Sequence, residues 1–293
     1  MTTAEGSTDA FGRQEWGLVA VGALIWGSSF LLIAESVEGF PPIVVAILRI
    51  AFGAAVVAAF PGAWRRIAGE DLLRIWFLAL IWMAIPFTLF PIAEQSVESS
   101  VAGVINAALP LFAALIAWVL LRRPPSLTTV AGIAIGFAGV VLVAAPTADG
   151  GTTEARGVLL LVIAVALYGV AANVSVPLQQ KYGALPVLLR VQLAAVVLCL
   201  PLAIWRAPEA DPDLTAWVSI ILLGTLGTGV AFIAIYGLIG RVGATRGTIV
   251  TYFFPVVAVA LGVALRDETL AWWTVAGTAL ILAGAWLAGR AGR

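Results

Sequence analysis

The sequence predicts an all-α integral membrane protein, with ten transmembrane helices arranged as two inverted five-helix repeats and both termini cytoplasmic. Three observations carry that expectation: an extreme apolar composition, ten apolar runs of membrane-spanning length, and an internal register that recurs after 145 positions.

Of 293 residues, 62% are hydrophobic and 11% charged, and the mean hydropathy is +1.07. Soluble domains average roughly 45–50% apolar and about 25% charged residues. A water-soluble fold of this length cannot hide so much apolar surface, so the bilayer must be the solvent. Net charge is zero, which gives no basic footprint for nucleic acid. Cys199 is the single cysteine and lies in an apolar run. An internal disulfide is excluded, and the thiol reads as a small buried hydrophobe. There is no histidine, and no metal or other cofactor is expected. The first fifteen residues are polar, carry Glu5, Asp9 and Glu15, and lack a signal peptide's basic start. The first apolar run is therefore expected to be a retained helix.

A helix needs about 20 apolar residues to cross a core of about 30 Å. Such runs fall at 16–34, 42–60, 72–91, 99–121, 127–145, 157–177, 185–205, 215–239, 245–265 and 270–289. A closed barrel is excluded because the runs do not alternate in hydrophobicity. The division is a polar N-terminus (1–15), repeat one (16–145), an outer loop (146–156) and repeat two (157–289). With the N-terminus inside, cytoplasmic segments collect Arg13, Arg65, Arg66, Arg74, Arg122, Arg123, Lys181, Arg241, Arg246, Arg290 and Arg293. Outer segments hold Arg156, Arg206 and Arg266. That bias is the kind that sets orientation.

The repeat is read by sliding the chain along itself. At a shift of 145, Phe87 meets Phe232, Val104 meets Ile249, Pro110 meets Pro255 and Val130-Ala131-Gly132 meets Val275-Ala276-Gly277. Nearer the start the offset drifts: Trp26-Gly27 resembles Tyr168-Gly169, and Leu48-Arg49-Ile50 resembles Leu189-Arg190-Val191. Five helices per half is an odd number, so the halves insert in opposite orientation. Inverted repeats of this kind build secondary transporters with a binding site near the midplane.

The stretch Phe90–Leu142 has Ser96, Ser99 and Ser100 at its turn, then Pro110, the break Arg122-Arg123 and glycines 132, 136 and 139. It resembles the EamA-type repeat of the drug/metabolite transporter superfamily. Tyr236–Leu287 is more similar still, with Pro255, Arg266-Asp267-Glu268 and Gly277 to Gly284, and Trp26-Gly27-Ser28-Ser29-Phe30 looks like that family's first-helix signature. Arg123 departs from the pattern, standing where repeat two has Glu268. The resemblance implies a secondary transporter in the bacterial inner membrane, exporting small metabolites. YddG-like amino-acid exporters are the group it suggests, working by alternating access around a central cavity. Export of other metabolites or drugs, or a non-transporting scaffold or channel, stays open. Expected partners are a small-molecule substrate and the lipid bilayer, with the chain a monomer or a weak homodimer.

Candidate site residues follow from polarity at depth. Helix three carries Pro86 and Pro91, and helix eight carries Gly224, Gly227 and Gly229; such breaks free carbonyls to face a cavity. Glycines also allow close packing. Helices four and nine carry Pro110 and Pro255 beside Asn106, Thr248, Thr251 and Tyr252. Trp26, Ser28, Ser29, Trp82, Thr88, Tyr168, Asn173, Thr225 and Thr228 complete the expected substrate cavity. Asn106 and Asn173 must be paired or wetted, which interhelical hydrogen bonds would also satisfy. Arg49 and Arg190 lie two turns into helices and read either as carboxylate anchors or as caps on broken-helix carbonyls. Gly132 and Gly136 suit close helix contact, within the chain or across a dimer.

No nucleophile with its base and no ligand cluster can be assembled at depth, so an intramembrane enzyme is not expected. The carboxylates fall at rims: Glu35 and Glu38, Glu94 and Glu98, Asp267 and Glu268. Glu94 and Glu98 are the only positions suited to carry a proton, and both are expected to be solvated. Substrate is therefore expected to move down its own gradient.

Overall fold

The computed structural model of the chain describes residues 12–121, 126–149, 152–235 and 248–290. Every regular element among them is helical. The first five apolar segments are α1 (Arg13–Val37), α2 (Pro42–Ala58), α3 (Gly69–Ala93), α4 (Ser99–Val119) and α5 (Leu127–Asp149). The next five are α6 (Thr152–Tyr182), α7 (Ala184–Arg206), α8 (Leu214–Ile235), α9 (Val250–Arg266) and α10 (Trp272–Arg290). Eight are long and apolar enough to cross a membrane, while α2 and α9 are shorter apolar helices. At about 1.5 Å per residue, the 25 residues of α1 reach beyond the hydrocarbon core. The protein is a multi-pass membrane protein.

Large apolar side chains such as Leu73, Leu127, Leu214 and Leu265 face outward uncovered. In water that would be a liability, but against lipid it is the required surface. Trp16, Trp64, Trp76, Trp118, Trp205, Trp217, Trp272 and Trp286 are exposed towards helix ends, as an interfacial aromatic belt requires. Helix α5 runs to Asp149 and α6 starts at Thr152, taking up most of the loop expected at 146–156. Hydropathy marks where lipid begins, not where a helix stops.

Four helices are irregular. A π-helical stretch interrupts α3 at Ala79–Ala84 and α8 at Leu223–Val230. In α3 it precedes Pro86, which has no N–H to return to the preceding turn. In α8 it contains Gly224, Gly227 and Gly229. Helix α4 breaks after Asn106 and restarts at Leu109-Pro110, and α9 opens with a 3-10 turn, Thr248–Tyr252, before Phe254-Pro255.

Helix α1 packs on α9 and α4 on α6; α2 packs on α8 and α7 on α3; α5 lies along α10. A Cβ added to Gly132 would lie 2.5 Å from the Ala288 backbone nitrogen, and one on Gly139 would lie 2.7 Å from the Gly277 carbonyl. The small-residue face of α5 is therefore occupied within the chain.

Candidate functional site

A cavity of about 620 Å³ lies among these helices. Its wall is mainly aromatic: Trp26 and Phe30 from α1, Trp82, Phe87 and Phe90 from α3, Tyr168 from α6, Phe232 from α8 and Phe254 from α9. The rings hold each other in place. Trp26 meets Phe232 and Phe254 edge-on at 5.3 and 5.4 Å, Trp82 meets Phe232 at 5.7 Å, and Phe90 stacks on Tyr168 at 6.0 Å. Edge-on and offset pairs of this separation suit the ring quadrupoles. The cavity reaches Gln179, Gln180 and Ala184 at one end of the bundle, and Phe30, Ile33 and Phe90 bound it towards the other.

One charge stands in this wall. Arg49 of α2 is only 7% exposed; its Nε donates to Thr228 Oγ1 at 2.9 Å, and its guanidinium sits 3.9 Å from the Phe87 ring centroid. Thr228 lies in the π-helical stretch of α8. Its carbonyl accepts from Gln192 Nε2 at 3.0 Å, and the Gly227 carbonyl accepts from Trp26 Nε1 at 2.9 Å. The π stretch frees carbonyls; α7 and α1 supply the donors that use two of them, and Arg49 of α2 uses the Thr228 hydroxyl. Asn106 Oδ1, at the break of α4, is buried without a hydrogen-bond partner. Leaving such an acceptor unmet costs about 1–3 kcal/mol, so a donor arriving in the cavity finds an open position.

Beyond Phe90 lies a second pocket of about 250 Å³, lined by Glu94, Glu98, Ser99, Arg266, Asp267 and Glu268. The Glu268 carboxylate accepts from Ser99 N at 2.8 Å, Ser99 Oγ at 2.6 Å and Ser100 N at 2.9 Å. It thereby caps the start of α4, where unpaired N–H groups and the helix dipole favour an anion. A Cβ on Gly262 would lie 2.2 Å from Glu268 Oε2, so that glycine makes room for the cap. Arg266 pairs with Glu35 and, at 3.2 Å, with Glu38. Glu98 is exposed as expected, but Glu94 is 8% exposed and neither carboxylate oxygen has a hydrogen-bond partner. Glu94 is the first residue past α3, and its burial pushes the carboxyl well above the usual range, against the pull of Arg49. The expectation of a solvated Glu94 does not hold. Hydropathy places a residue along the membrane normal, but not against the neighbours that fold over it.

Among the residues expected in the cavity, Trp26, Ser29, Trp82, Asn106 and Tyr168 line it. Others turn to their own or adjacent backbone: Ser28 Oγ to Ile25 O, Thr88 Oγ1 to Ala84 O, Thr225 Oγ1 to Ile221 O. Short hydroxyl side chains satisfy themselves this way in apolar helices. Asn173 Nδ2 donates to Ala113 O at 3.0 Å, tying α6 to α4. Thr228 is fully buried behind Arg49, and Thr251 and Tyr252 stand off the lining. The Thr248 side chain and Arg123 lie outside the described residues. Pro86, Pro110 and Pro255 sit in or beside the irregular stretches and Pro91 lies inside the regular last part of α3; none of the four is on the lining.

The paired arginines part company. Arg190 is half-buried, with its guanidinium 5.5 Å from the Trp64 ring at the end of the bundle. It is not the buried arginine that its register with Arg49 suggests. Phe30, Phe87, Phe90, Phe232 and Phe254 were not singled out by polarity, because a phenylalanine at depth looks the same facing lipid or cavity. Gln192 and Glu94 carry a clearer signal: a lone polar residue in or beside an apolar run.

A bundle of apolar helices around a cavity, with broken helices in its wall, defines a membrane-transporter fold. The EamA-like transporter family profile matches the chain twice, at residues 16–145 and 155–290. The chain belongs to that family. It is 30% identical over 259 residues (84% of this chain, 81% of the relative) to an Escherichia coli protein named as an uncharacterized inner membrane transporter, YedA. A transporter of Archaeoglobus fulgidus is 25% identical across 94% of this chain and 98% of its own length. A probable terminal-alkyne amino-acid exporter of Streptantibioticus cattleyicolor is 26% identical, covering 94% and 93%. A crystal structure at 20% identity shares the fold with TM-score 0.67, over 94% of this chain and 96% of that one.

Proposed function

We propose that the protein is a secondary transporter of the bacterial inner membrane that exports small amphipathic carboxylates of the amino-acid class by alternating access. The observation that carries this is Arg49: a desolvated cation in the wall of an aromatic cavity. Its Nε is tied to Thr228, so the guanidinium is oriented and a carboxylate can take its remaining N–H groups. Burying such a charge without a use for it is costly in a membrane. The aromatic rings supply the surface for an apolar side chain, and Asn106 Oδ1 offers an acceptor to an ammonium group.

The inverted repeat is supported by exchanged contacts. Gly27 packs on Val257, and its repeat counterpart Gly169 packs on Phe112, the counterpart of Val257. Gly132 meets Gly284, while Gly139 meets Gly277. Contacts that swap partners between halves are what a two-fold axis produces, and the two family matches agree with it. With the basic residues inside, the cavity faces the cytoplasm, and Phe30, Phe90 and the pairs of Arg266 form the closed outer side.

The test is counterflow in proteoliposomes. Vesicles preloaded with an unlabelled amino acid bearing a large apolar side chain should take up its labelled form faster than empty vesicles. The matching amine, which lacks the carboxylate, should compete poorly. Equal competition by the amine, or no acceleration by any of a panel of amino acids, would overturn the assignment.

A further inference from the structure

We propose that Glu94 is a proton-binding site of the outer gate: closing the gate takes up one proton at this carboxylate, and opening it returns the proton to the outer water. The alternating-access reading above supplies the gate. The measurement below follows opening rather than transport, so the two readings fail separately.

Glu94 lines the outer pocket yet is more than nine-tenths buried, and both oxygens lack a hydrogen-bond partner. Burial without a donor on either oxygen disfavours the ionised form of this carboxylate and favours the neutral acid, because no hydrogen bond replaces the water that the charge requires. The surroundings close over it from several sides. Arg49 of α2 lies on the cavity side, and Tyr168 of α6 stacks on Phe90, one turn before Glu94. Arg266, Asp267 and Glu268 at the end of α9 face it across the pocket with Glu98, and Arg266 is held by Glu35 and Glu38 from the end of α1. Glu154 and Arg156 of α6 lie just before Gly157, whose added Cβ would lie 2.5 Å from Val97 in the loop after Glu94.

The arrangement has no second use for the side chain. Glu268 already caps α4, Glu35 and Glu38 already hold Arg266, and Glu98 is exposed. Among the described residues no group of acidic side chains there is placed to hold a metal ion. A proton is the ligand that turns a buried, unpartnered carboxylate into an acceptable neighbour. When α9 swings away from α1 and α4, Glu94 meets water and ionises; when the gate closes again, hydronium gives its proton to the carboxylate and leaves as water. Outer acidity then favours the closed gate.

Two measurements decide this in the purified full-length chain. Spin labels at the exposed positions Gln95 and Leu270, in a Cys199→Ala background, report the separation of the α3–α4 loop from the α9–α10 loop. The distance distribution should gain a longer component as pH rises, whereas Glu94→Gln, a mimic of the neutral acid, should hold the short component at every pH. Infrared spectra at neutral pH should contain a protonated-carboxyl band that Glu94→Gln lacks. A pH-independent distance in the parent chain, a Glu94→Gln variant that opens with pH as the parent does, or the absence of that band would overturn the proposal.

Discussion

A methyl group placed on Gly284 would lie 2.5 Å from the carbonyl oxygen of Gly132, and one on Gly132 would lie 2.7 Å from the carbonyl oxygen of Gly284. The backbones of α5 and α10 touch here with no side chain between them. Lipid tails are as apolar as leucine, so such helices associate through close packing and not through a hydrophobic drive. Substituting Gly284→Val should therefore force the helices apart and cost about 1–3 kcal/mol, as overpacking does. An added Cβ on Gly17 meets nothing within 4 Å, so Gly17→Ala should hold or raise stability by about 0.5–1 kcal/mol. Thermal unfolding of both variants in detergent checks the pair. Equal melting temperatures would mean that this contact does not hold the fold.

Architecture was legible in the sequence where a residue type has one physical meaning. Apolar runs became the ten segments, and Pro110 and Pro255 mark matched breaks because proline cannot donate the helical hydrogen bond. Paired interruptions in α3 and α8 could be anticipated from Pro86 and Gly224, but not their π-helical form. The site was harder to read. Thr88 and Trp82 share a helix, yet one bonds its own backbone and the other lines the cavity. Arg49 and Arg190 share a register, yet only Arg49 finds a buried partner. Rotation about the helix axis decides such cases, and a single sequence holds little of it when both faces are apolar.

Trp26 gives two separable predictions. Its indole N–H reaches the Gly227 carbonyl, and its ring closes the contacts to Phe232 and Phe254. Trp26→Phe keeps most of the ring and should lose only the hydrogen bond, worth about 0.5–1.5 kcal/mol of stability. Trp26→Ala removes a cavity wall as well and should slow counterflow by about tenfold or more, with 1.4 kcal/mol equal to tenfold. Counterflow rates set beside melting temperatures distinguish these outcomes; matched rates for the two variants would place the ring outside the substrate path.

The cap on α4 is a charge-assisted arrangement of three donors on one carboxylate. Glu268→Ala should cost about 1.5–3 kcal/mol, the range for hydrogen bonds to charged groups. Gly262→Ala should have a comparable effect without removing any polar atom, since its Cβ would displace the carboxylate. Hydrogen exchange at Ser99 and Ser100 is the direct check. Both variants should speed it, and unchanged protection in either would dissociate the glycine from the cap.

Arg266 on α9 is held by Glu35 and Glu38 at the end of α1, with about a quarter of the Arg266 and Glu35 side chains exposed and Glu38 largely in solvent. Exposed ion pairs are worth about 0.2–1 kcal/mol each, too little to hold a fold but enough to bias two states of similar energy. Under the alternating access proposed above, removing both by Arg266→Ala should shift the equilibrium towards the outward-facing form by up to about tenfold. The folding stability should hardly change. Labelling of an Asn106→Cys variant by a membrane-impermeant thiol reagent from the outer side reads that shift, since Asn106 lies in the cavity wall. Arg266→Ala should speed the labelling. The exchange Glu35→Arg with Arg266→Glu should restore much of the slow rate, because the attraction is regained with its sign reversed. Labelling that is insensitive to Arg266, or a charge exchange that fails to slow it, would show that the pair decorates the outer rim without governing access to the cavity.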